Sequence, residues 1–497
     1  MSSPISLYST SQVRALDAYA IRELKVPGYT LMKRAGEAAL RYLRTRWPTY
    51  HHIAVVCGGG NNGGDGYVLG RFAQAAGLTV SVLAASPPER LAGDARQAHA
   101  DWIASGGRVL AFESGLLGNA EVIVDALLGT GLAQPVRAQA ARVIEDLNAA
   151  ARPIFALDVP SGLDSDTGEP HGAAVRADCT LTFVALKTGL FIGRGPEHAG
   201  TVYFDDLEVP VPSERSEFTA RLERIGEAEI AAALPRRART AHKGDFGRVL
   251  IVGGGSGMPG AIRLAGEAAL RVGAGLVTVA VWPENVAGIV AGRPELICLP
   301  LHEASLLAEP LERADVVAIG PGLGKSPWAA DLLAAVLDAE KPLVVDADAL
   351  NLIADEAREA GARRRENWIL TPHPGEASRL LGQSTADIQQ DRLKSLEALV
   401  DRYGGTVVLK GAGTLVGASG RIPGLCERGN PGMASAGMGD VLTGATAGIL
   451  AQCGDPWQAA RVAVLVHAMS GDIAARGGER GLLAGDVARE LRTCVNL

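Results

Sequence analysis

Apolar positions along this chain alternate between two rhythms. Short strand-like runs, mostly apolar, recur at residues 52–57, 78–84, 122–125, 154–158, 179–183 and 201–204. Runs of that length, bounded by glycine or polar residues, predict buried strands. Residues 67–76 carry helical spacing after the first run, and residues 11–24 and 30–46 carry it ahead of the strands. These two leading helices are expected to cover a sheet edge or a dimer partner. Strand–helix alternation predicts a mostly parallel sheet with helices on both faces.

The pattern lapses over residues 209–223, where Pro210 and Pro212 precede the polar run Ser213-Glu214-Arg215-Ser216-Glu217. It then restarts, with strands expected at residues 248–252, 276–281, 316–319, 343–346, 368–370 and 406–409 and a helix at 259–272. The expectation is an α/β chain of two domains, residues 1–212 and 222–497. The segment between them lacks an apolar period, so a cut there is expected to cost little.

Composition narrows the classes of function. The 497 residues are 47% apolar and 21% charged, which is ample for buried cores. A formal charge of -7 without a long basic run argues against a nucleic-acid surface. The six cysteines are scattered without a CxxC pair, so neither a disulfide framework nor a zinc site is indicated and a cytoplasmic setting is expected. The first ten residues lack the apolar run of a signal peptide. Apolar stretches elsewhere break before the ~20 residues of a membrane span. Small-molecule ligands, and no nucleic acid or membrane, are the expected partners.

Glycine-rich segments carry the candidate chemistry. In NPGMASAGMGDVLTG, residues 430–444, small residues lead into Asp440 and then an apolar helical run over 441–450. Backbone N–H groups in such a turn suit phosphate charge, and Asp440 is placed to act as a base on a hydroxyl held beside it. An isolated turn of this kind is equally well read as a helix cap. The segment GGGNNGGDG, residues 58–66, lacks the Gly-Lys-Ser/Thr ending of a P-loop and is not a clean GxGxxG. Polar residues gather after successive strands of the first domain: Asn61, Asn62 and Asp65; Asp125 with Gly129, Thr130 and Gly131; Asp158 with Ser161; and Lys187. Open α/β sheets place ligands at those strand ends, where carboxylate and amide oxygens can also hold a cation. Singly, each such residue is more often a turn former.

The blocks GGGNNGGDG, VDALLGTGL, ALDVPSGLDSDTG and ADCTLTFVALKTGL resemble the NAD(P)H-hydrate epimerases, the YjeF N-terminal domains, over roughly residues 10–210. The resemblance implies a Rossmann-like three-layer α/β/α domain that epimerises hydrated NADH and NADPH. It implies substrate contacts from Asn61, Asn62, Gly63, Gly64 and Asp65 and from Gly129, Thr130, Gly131, Leu132, Ala133, Gln134 and Pro135. Potassium contacts are implied for Asn62, Asp125 and Ser161, a substrate or proton-transfer role for Asp158, and an acid/base role for Lys187.

Over about residues 225–495 the chain resembles the ADP-dependent NAD(P)H-hydrate dehydratases, with a ribokinase-like fold implied. The blocks are HKGDFGRVLIVGGGSGMPGA, IGPGLG, VVDADALNLI, TPHPGEASRLLG, VVLKGAGTLV and NPGMASAGMGDVLTG. Nucleotide contacts are implied for Lys410, Gly411, Ala412, Gly413, Thr414 and Gly439, and hydrate contacts for Ala261, Gly322, His373 and Asp440. Asp346 and Asp348 end a strand, where they could help hold Mg2+ through water or cap a helix. Ala436 stands where the resemblance leads one to expect glycine. Together the resemblances imply a bifunctional repair enzyme, an isomerase joined to a lyase that consumes ADP, with K+ at the first site and Mg2+ at the second and a homo-oligomeric state. The alternative is a sugar or vitamin kinase fused to a nucleotide-binding module. A non-catalytic sensor is the reading from outside the enzymes.

Overall fold

A computed structural model describes residues 6–131 and 134–497. The chain divides into two compact units, Met1–Leu222 and Glu223–Leu497. In the first, β1 (Ser6–Leu7) and two helices, α1 (Thr10–Arg22) and α2 (Gly28–Arg46), precede the sheet. Then follow β2 (His52–Cys57), α3 (Asn61–Ala75), β3 (Thr79–Ala84), α4 (Gly93–Ala104) and β4 (Val109–Ala111). The chain continues through β5 (Val122–Ala126), α5 (Ala138–Ala149), β6 (Ile154–Leu157), β7 (Cys179–Phe183), α6 (Gly195–Ala199) and β8 (Thr201–Asp205).

Strand order in this seven-stranded sheet is β4-β3-β2-β5-β6-β7-β8, and every pairing is parallel. The period-2 alternation of a strand explains the mostly apolar runs. Ile53, Val55 and Cys57 face one core with α1, α2, α3 and α4, while Ala54 and Val56 face a second core with α5. Helix therefore covers both faces, as in a Rossmann-like three-layer domain. The order reverses between β2 and β5, and the loops leaving those two strands open a crevice there.

Three expectations shift. The helix expected at 67–76 begins at Asn61, so most of the glycine segment is helical rather than loop. Its glycines serve close packing: a Cβ at Gly63 would meet the Gly58 carbonyl oxygen at 2.2 Å, and one at Gly66 would meet Ala126 Cβ at 2.7 Å. Helix α2 packs on α3 inside the unit rather than over a sheet edge. The polar segment is not a free linker either, because Phe218 within it is 2% exposed and sits in the first unit's core, 6.0 Å from the Tyr19 ring.

The second unit opens with β9 (Leu222–Arg224), α7 (Ala228–Ala233), β10 (Arg248–Val252), α8 (Pro259–Arg271) and β11 (Leu276–Val281). Next come α9 (Val286–Gly292), β12 (Ile297–Pro300), α10 (Ala308–Arg313), β13 (Val316–Ile319), α11 (Pro327–Asp338), β14 (Leu343–Val345) and α12 (Ala347–Ala360). β15 (Trp368–Leu370) leads to α13 (Pro374–Leu381), α14 (Thr385–Gln390) and α15 (Arg392–Tyr403). The chain closes with β16 (Thr406–Leu409), β17 (Thr414–Ala418), β18 (Gly424–Cys426), α16 (Met438–Cys453), α17 (Pro456–Ala474) and α18 (Ala484–Cys494).

From β12 through β11, β10, β13, β14 and β15 to β16 the strands are parallel. β17 and β18 then add antiparallel, and β9 pairs parallel with β18. Val249 and Ile251 of β10 face a core shared with α8, α16, α17 and α18. Here the order reverses between β10 and β13, and Gly255 N–H donates to the Gly322 carbonyl at 2.7 Å across the two loops. Helix α16 starts at Met438, ahead of the expected residue 441, so Asp440 lies in its first turn.

Candidate active sites

In the first unit a cavity of about 600 Å³ opens at the β2/β5 crevice. Asn61, Asn62, Asp65, Gly129, Thr130, Gly131, Asp158 and Lys187 line it. Asp158 follows β6 with φ at +67°, a left-handed conformation uncommon for a residue with a side chain. Its Oδ1 accepts from Lys187 Nζ at 2.5 Å, and Lys187 also donates to the Phe183 carbonyl at 2.6 Å. Lys187 is 1% exposed, so its ammonium is fixed against Asp158 rather than solvated.

Behind the cavity wall lies an oxygen cluster. Asp125 is fully buried; its Oδ1 accepts from Ser161 Oγ at 2.6 Å and its Oδ2 from Ser161 N–H at 2.8 Å. Burial nevertheless pushes the carboxyl up to about 6, against the pull of the Ser161 bonds. Asn62 donates through Nδ2 to the Leu128 carbonyl at 2.9 Å, which leaves its buried Oδ1 with no protein partner among the described residues. An acceptor-only orphan beside an undercompensated carboxylate fits a monovalent cation by chemistry.

Not every expected residue reaches the cavity. Gly63 and Gly64 are buried within α3 as packing positions. Gln134 and Pro135 are exposed and do not line it, and Leu132 and Ala133 lie outside the described residues. Conversely, Arg14, Asp17 and Asp94 line it unforeseen. Arg14 Nη2 donates to the Thr130 carbonyl at 2.9 Å. Asp17 is raised to about 6 by burial, relieved in part by Lys187 and reinforced by the Asp158 charge. Burial, then the charges of Asp158 and Asp17, hold Asp65 well above the usual carboxylate range. A trace of α1's involvement is visible in sequence: Arg14 and Asp17 sit three apart, flanking the buried Val13, Leu16 and Ala20 stripe.

In the second unit the strand ends of β14, β15 and β16 meet the first turn of α16. Asp346 is 1% exposed and is the hub. Its Oδ1 accepts from Lys410 Nζ at 2.6 Å and Thr371 Oγ1 at 2.8 Å, while its Oδ2 accepts from Thr443 Oγ1 at 2.7 Å. It precedes α12 without capping it through its side chain. Asp348 instead accepts from Gly324 N–H at 2.9 Å. Burial opposes the Lys410 charge, but Asp346 and Glu376, the latter 3.7 Å away, outweigh it and raise its pKa.

Asp440 is pushed up to about 7 by burial, then by the Asp346 charge, with Lys410 pulling the other way. A general base poised at neutrality needs that value. Gly439 packs closely against Lys410 and Asp346, since a Cβ there would stand 3.3 Å from Lys410 Nζ and 3.5 Å from Asp346 Oδ2. Gly437 enters α16 at φ +88°. Ala436 is exposed, so its methyl group meets solvent.

His373 caps α13, with Nδ1 accepting from Gly375 N–H at 2.9 Å and Glu376 Oε2 accepting from His373 N–H at 2.7 Å. Burial and the Lys410 charge lower its pKa, so the ring is neutral at pH 7. Ala261 and Gly322 meet at the β10/β13 crevice, where a Cβ on Gly322 would lie 3.2 Å from Ala261 Cβ. Residues 410–414 form the β16–β17 turn, with Gly411 and Ala412 exposed. Asn285, unforeseen, donates to the Gly254 and Gly255 carbonyls at 2.8 Å and holds the β10 loop. A separate cavity of about 1190 Å³ in this unit is lined by Arg237, Phe246, Arg271, Arg293 and Arg492 among others, and by none of the expected site residues.

Comparisons with known proteins place these two sites in context. Residues 28–189 match the family described as YjeF-related protein N-terminus, and residues 249–493 match NAD(P)H-hydrate dehydratase. A bifunctional NAD(P)H-hydrate repair enzyme from Coxiella burnetii is 48% identical over 99% of both chains. One from Escherichia coli K12 is 44% identical over all of this chain and 95% of its own. Among solved structures, a ribokinase-like superfamily protein from Enterococcus faecalis V583 is 31% identical with a TM-score of 0.51, covering 55% of this chain and 95% of that one. Its length and identity fit the second unit, which has the ribokinase-like fold. On identity sustained across the whole chain, this protein belongs to the family of bifunctional NAD(P)H-hydrate repair enzymes.

Proposed function

We propose that the chain restores hydrated NADH and NADPH through two activities. The first unit interconverts the R and S hydrates. The second dehydrates the S hydrate at the expense of ADP, yielding AMP and phosphate. The observation that carries the reading is Asp440, a carboxyl raised to about 7 at the start of α16 beside Lys410 and Asp346.

Asp440 takes the proton of the hydrate's hydroxyl as that oxygen attacks the β-phosphoryl group of ADP, and AMP departs. Loss of the new phosphate ester's phosphate, together with a ring proton, re-forms the double bond. A poor leaving group is thereby exchanged for a good one. Ala261, Gly322 and His373 bind the hydrate, with the lowered pKa of His373 favouring a neutral ring whose Nε2 stands 3.4 Å from Glu376 Oε1. Gly439 and residues 410–414 bind the nucleotide. Mg2+ would be bound chiefly through the nucleotide phosphates, with Asp346 and Asp348 the carboxylates expected to reach it through water. When bound it neutralises phosphoryl charge.

In the first unit Asp158 and Lys187 form the acid/base pair, and Asn61, Asp65, Gly129, Thr130 and Gly131 contact substrate. K+ would be held by Asn62, Asp125 and Ser161, and would supply positive charge beside the buried Asp125 carboxylate. Six unpaired cysteines and the absence, among described helices, of one long and apolar enough to cross a membrane are compatible with a cytoplasmic setting.

The test is an assay on separated hydrate epimers, with and without ADP, following recovery of NADH absorbance. Phosphorylation of a sugar or vitamin with both hydrates untouched would replace this reading with a kinase.

A further inference from the structure

Arg392, the first residue of α15, is 3% exposed and lies directly beneath the β16–β17 turn. Its Nη2 donates towards three carbonyls of that turn: Leu409 at 3.2 Å, Lys410 at 3.4 Å and Gly413 at 3.3 Å. Nη1 donates to Gln389 Oε1 at 2.9 Å, and Nε has no partner among the described residues. None of the described carboxylates pairs with this guanidinium. Burial lowers its pKa only to about 10, so it remains cationic at neutral pH. An ion buried without a counter-charge is costly, and proteins retain one where something else supplies the charge.

The turn itself is shaped around this residue. Gly411 has φ +143° and Gly413 φ +65°, and a Cβ on Gly411 would stand 2.8 Å from Arg392 Nη1. The Gly411 carbonyl accepts from Thr414 Oγ1 at 2.9 Å. Carbonyls of the turn are thus consumed from within. The N–H groups of Gly411, Ala412 and Gly413 have no acceptor among the described residues. Consecutive outward N–H groups in a glycine turn form a concavity for an anion.

We propose that Arg392 is the positioning residue of the nucleotide phosphate site: it draws the turn's carbonyls inward, turns the Gly411–Gly413 amides towards a phosphate, and contributes an unpaired positive charge behind it. The proposal rests on the reading that this unit binds ADP at residues 410–414. Lysine is not equivalent, because the guanidinium serves the turn carbonyls through Nη2 while Nη1 is held on Gln389 Oε1, and a single ammonium cannot occupy both places. The Lys410 ammonium is already engaged by Asp346, so the charge facing the turn comes from Arg392.

The experiment compares full-length wild type, Arg392→Lys and Arg392→Met by thermal melting, ADP titration calorimetry and steady-state dehydration. Expected is a rise of ~10-fold or more in KM and Kd for ADP in Arg392→Lys, with kcat within about twofold, and a larger rise in Arg392→Met. A residue that only supports the fold would lower Tm and leave the KM for ADP unmoved, and that result in folded Arg392→Lys overturns the proposal. If Arg392→Met fails to fold, Arg392→Lys alone decides. Wild type that binds no ADP fails the functional reading instead, and the two failures are told apart by that single titration.

Discussion

Lys410 turns its ammonium away from the glycine turn that follows it and onto Asp346 Oδ1, 2.6 Å away. The same carboxylate holds Thr443 of α16 at 2.7 Å through its other oxygen. One buried group therefore locks the end of β16 to the helix whose first turn carries Asp440. Breaking a buried pair by removing one partner leaves an uncompensated charge, so Asp346→Asn is expected to destabilise the chain by ~3–5 kcal/mol. Combining it with Lys410→Met should restore part of that stability while dehydration stays impaired. Denaturant titrations of both singles and the double variant measure the coupling, and additive losses would contradict it.

Asp440→Asn should reduce dehydration by ~10²–10⁴ and leave epimerisation near wild type, because the lost base serves only the second site. Wild-type kcat/KM for dehydration should rise with pH through about 7, where the raised carboxyl becomes ionised, and then level off. A flat profile from pH 5.5 to 8.5, or full activity in the folded variant, would remove Asp440 from that role.

Potassium should stabilise the chain in a pH-dependent way. Asp125 is raised to about 6, above its unfolded value of 3.8. Its contribution is thus fully present below the unfolded value and is lost as pH rises through about 6, when an ionised carboxylate must be carried inside the protein. A cation beside Asn62 Oδ1 offsets that loss. Melting in KCl against tetramethylammonium chloride should therefore show a larger potassium-dependent gain at pH 8 than at pH 5. Equal gains at both, or an unchanged gain in Asp125→Asn, would reject the ion site.

The strands were the most legible part of this chain. β2, β7, β10, β11, β13, β15 and β16 fall on the apolar runs read from sequence, because a parallel strand buried on both faces has no polar alternation to blur it. β17 and β18 escaped, because each carries a glycine that interrupts or opens its apolar run. Glycine misled again in α3, where Gly63, Gly64 and Gly66 look like loop residues but are contact positions in a helix. Asp440, Asp158 and Lys187 stood out because they sit at strand ends or in glycine turns. Asp17, Arg392 and Asn285 carry no such local mark; each matters through what the fold brings against it.

Phe218 changes where the chain should be divided. It is 2% exposed in the first unit's core, and Gln12 Nε2 donates to the Thr219 carbonyl at 2.6 Å beside it. A fragment ending at residue 212 omits that ring, and by the usual loss for a buried phenylalanine it should be ~3–5 kcal/mol less stable than one ending at residue 222. Fragments 1–222 and 223–497 each keep their own run of parallel strands, cores and ligand loops, with the cut at the start of β9, so each should fold alone. Given ADP, fragment 223–497 should consume one hydrate epimer quickly and stall at the slow spontaneous interconversion of the other. Adding fragment 1–222 should carry the mixture to completion, and adding its Asp158→Ala variant should not. Complete consumption of both epimers by fragment 223–497 alone, at a single rate, would deny the first unit any part in the repair.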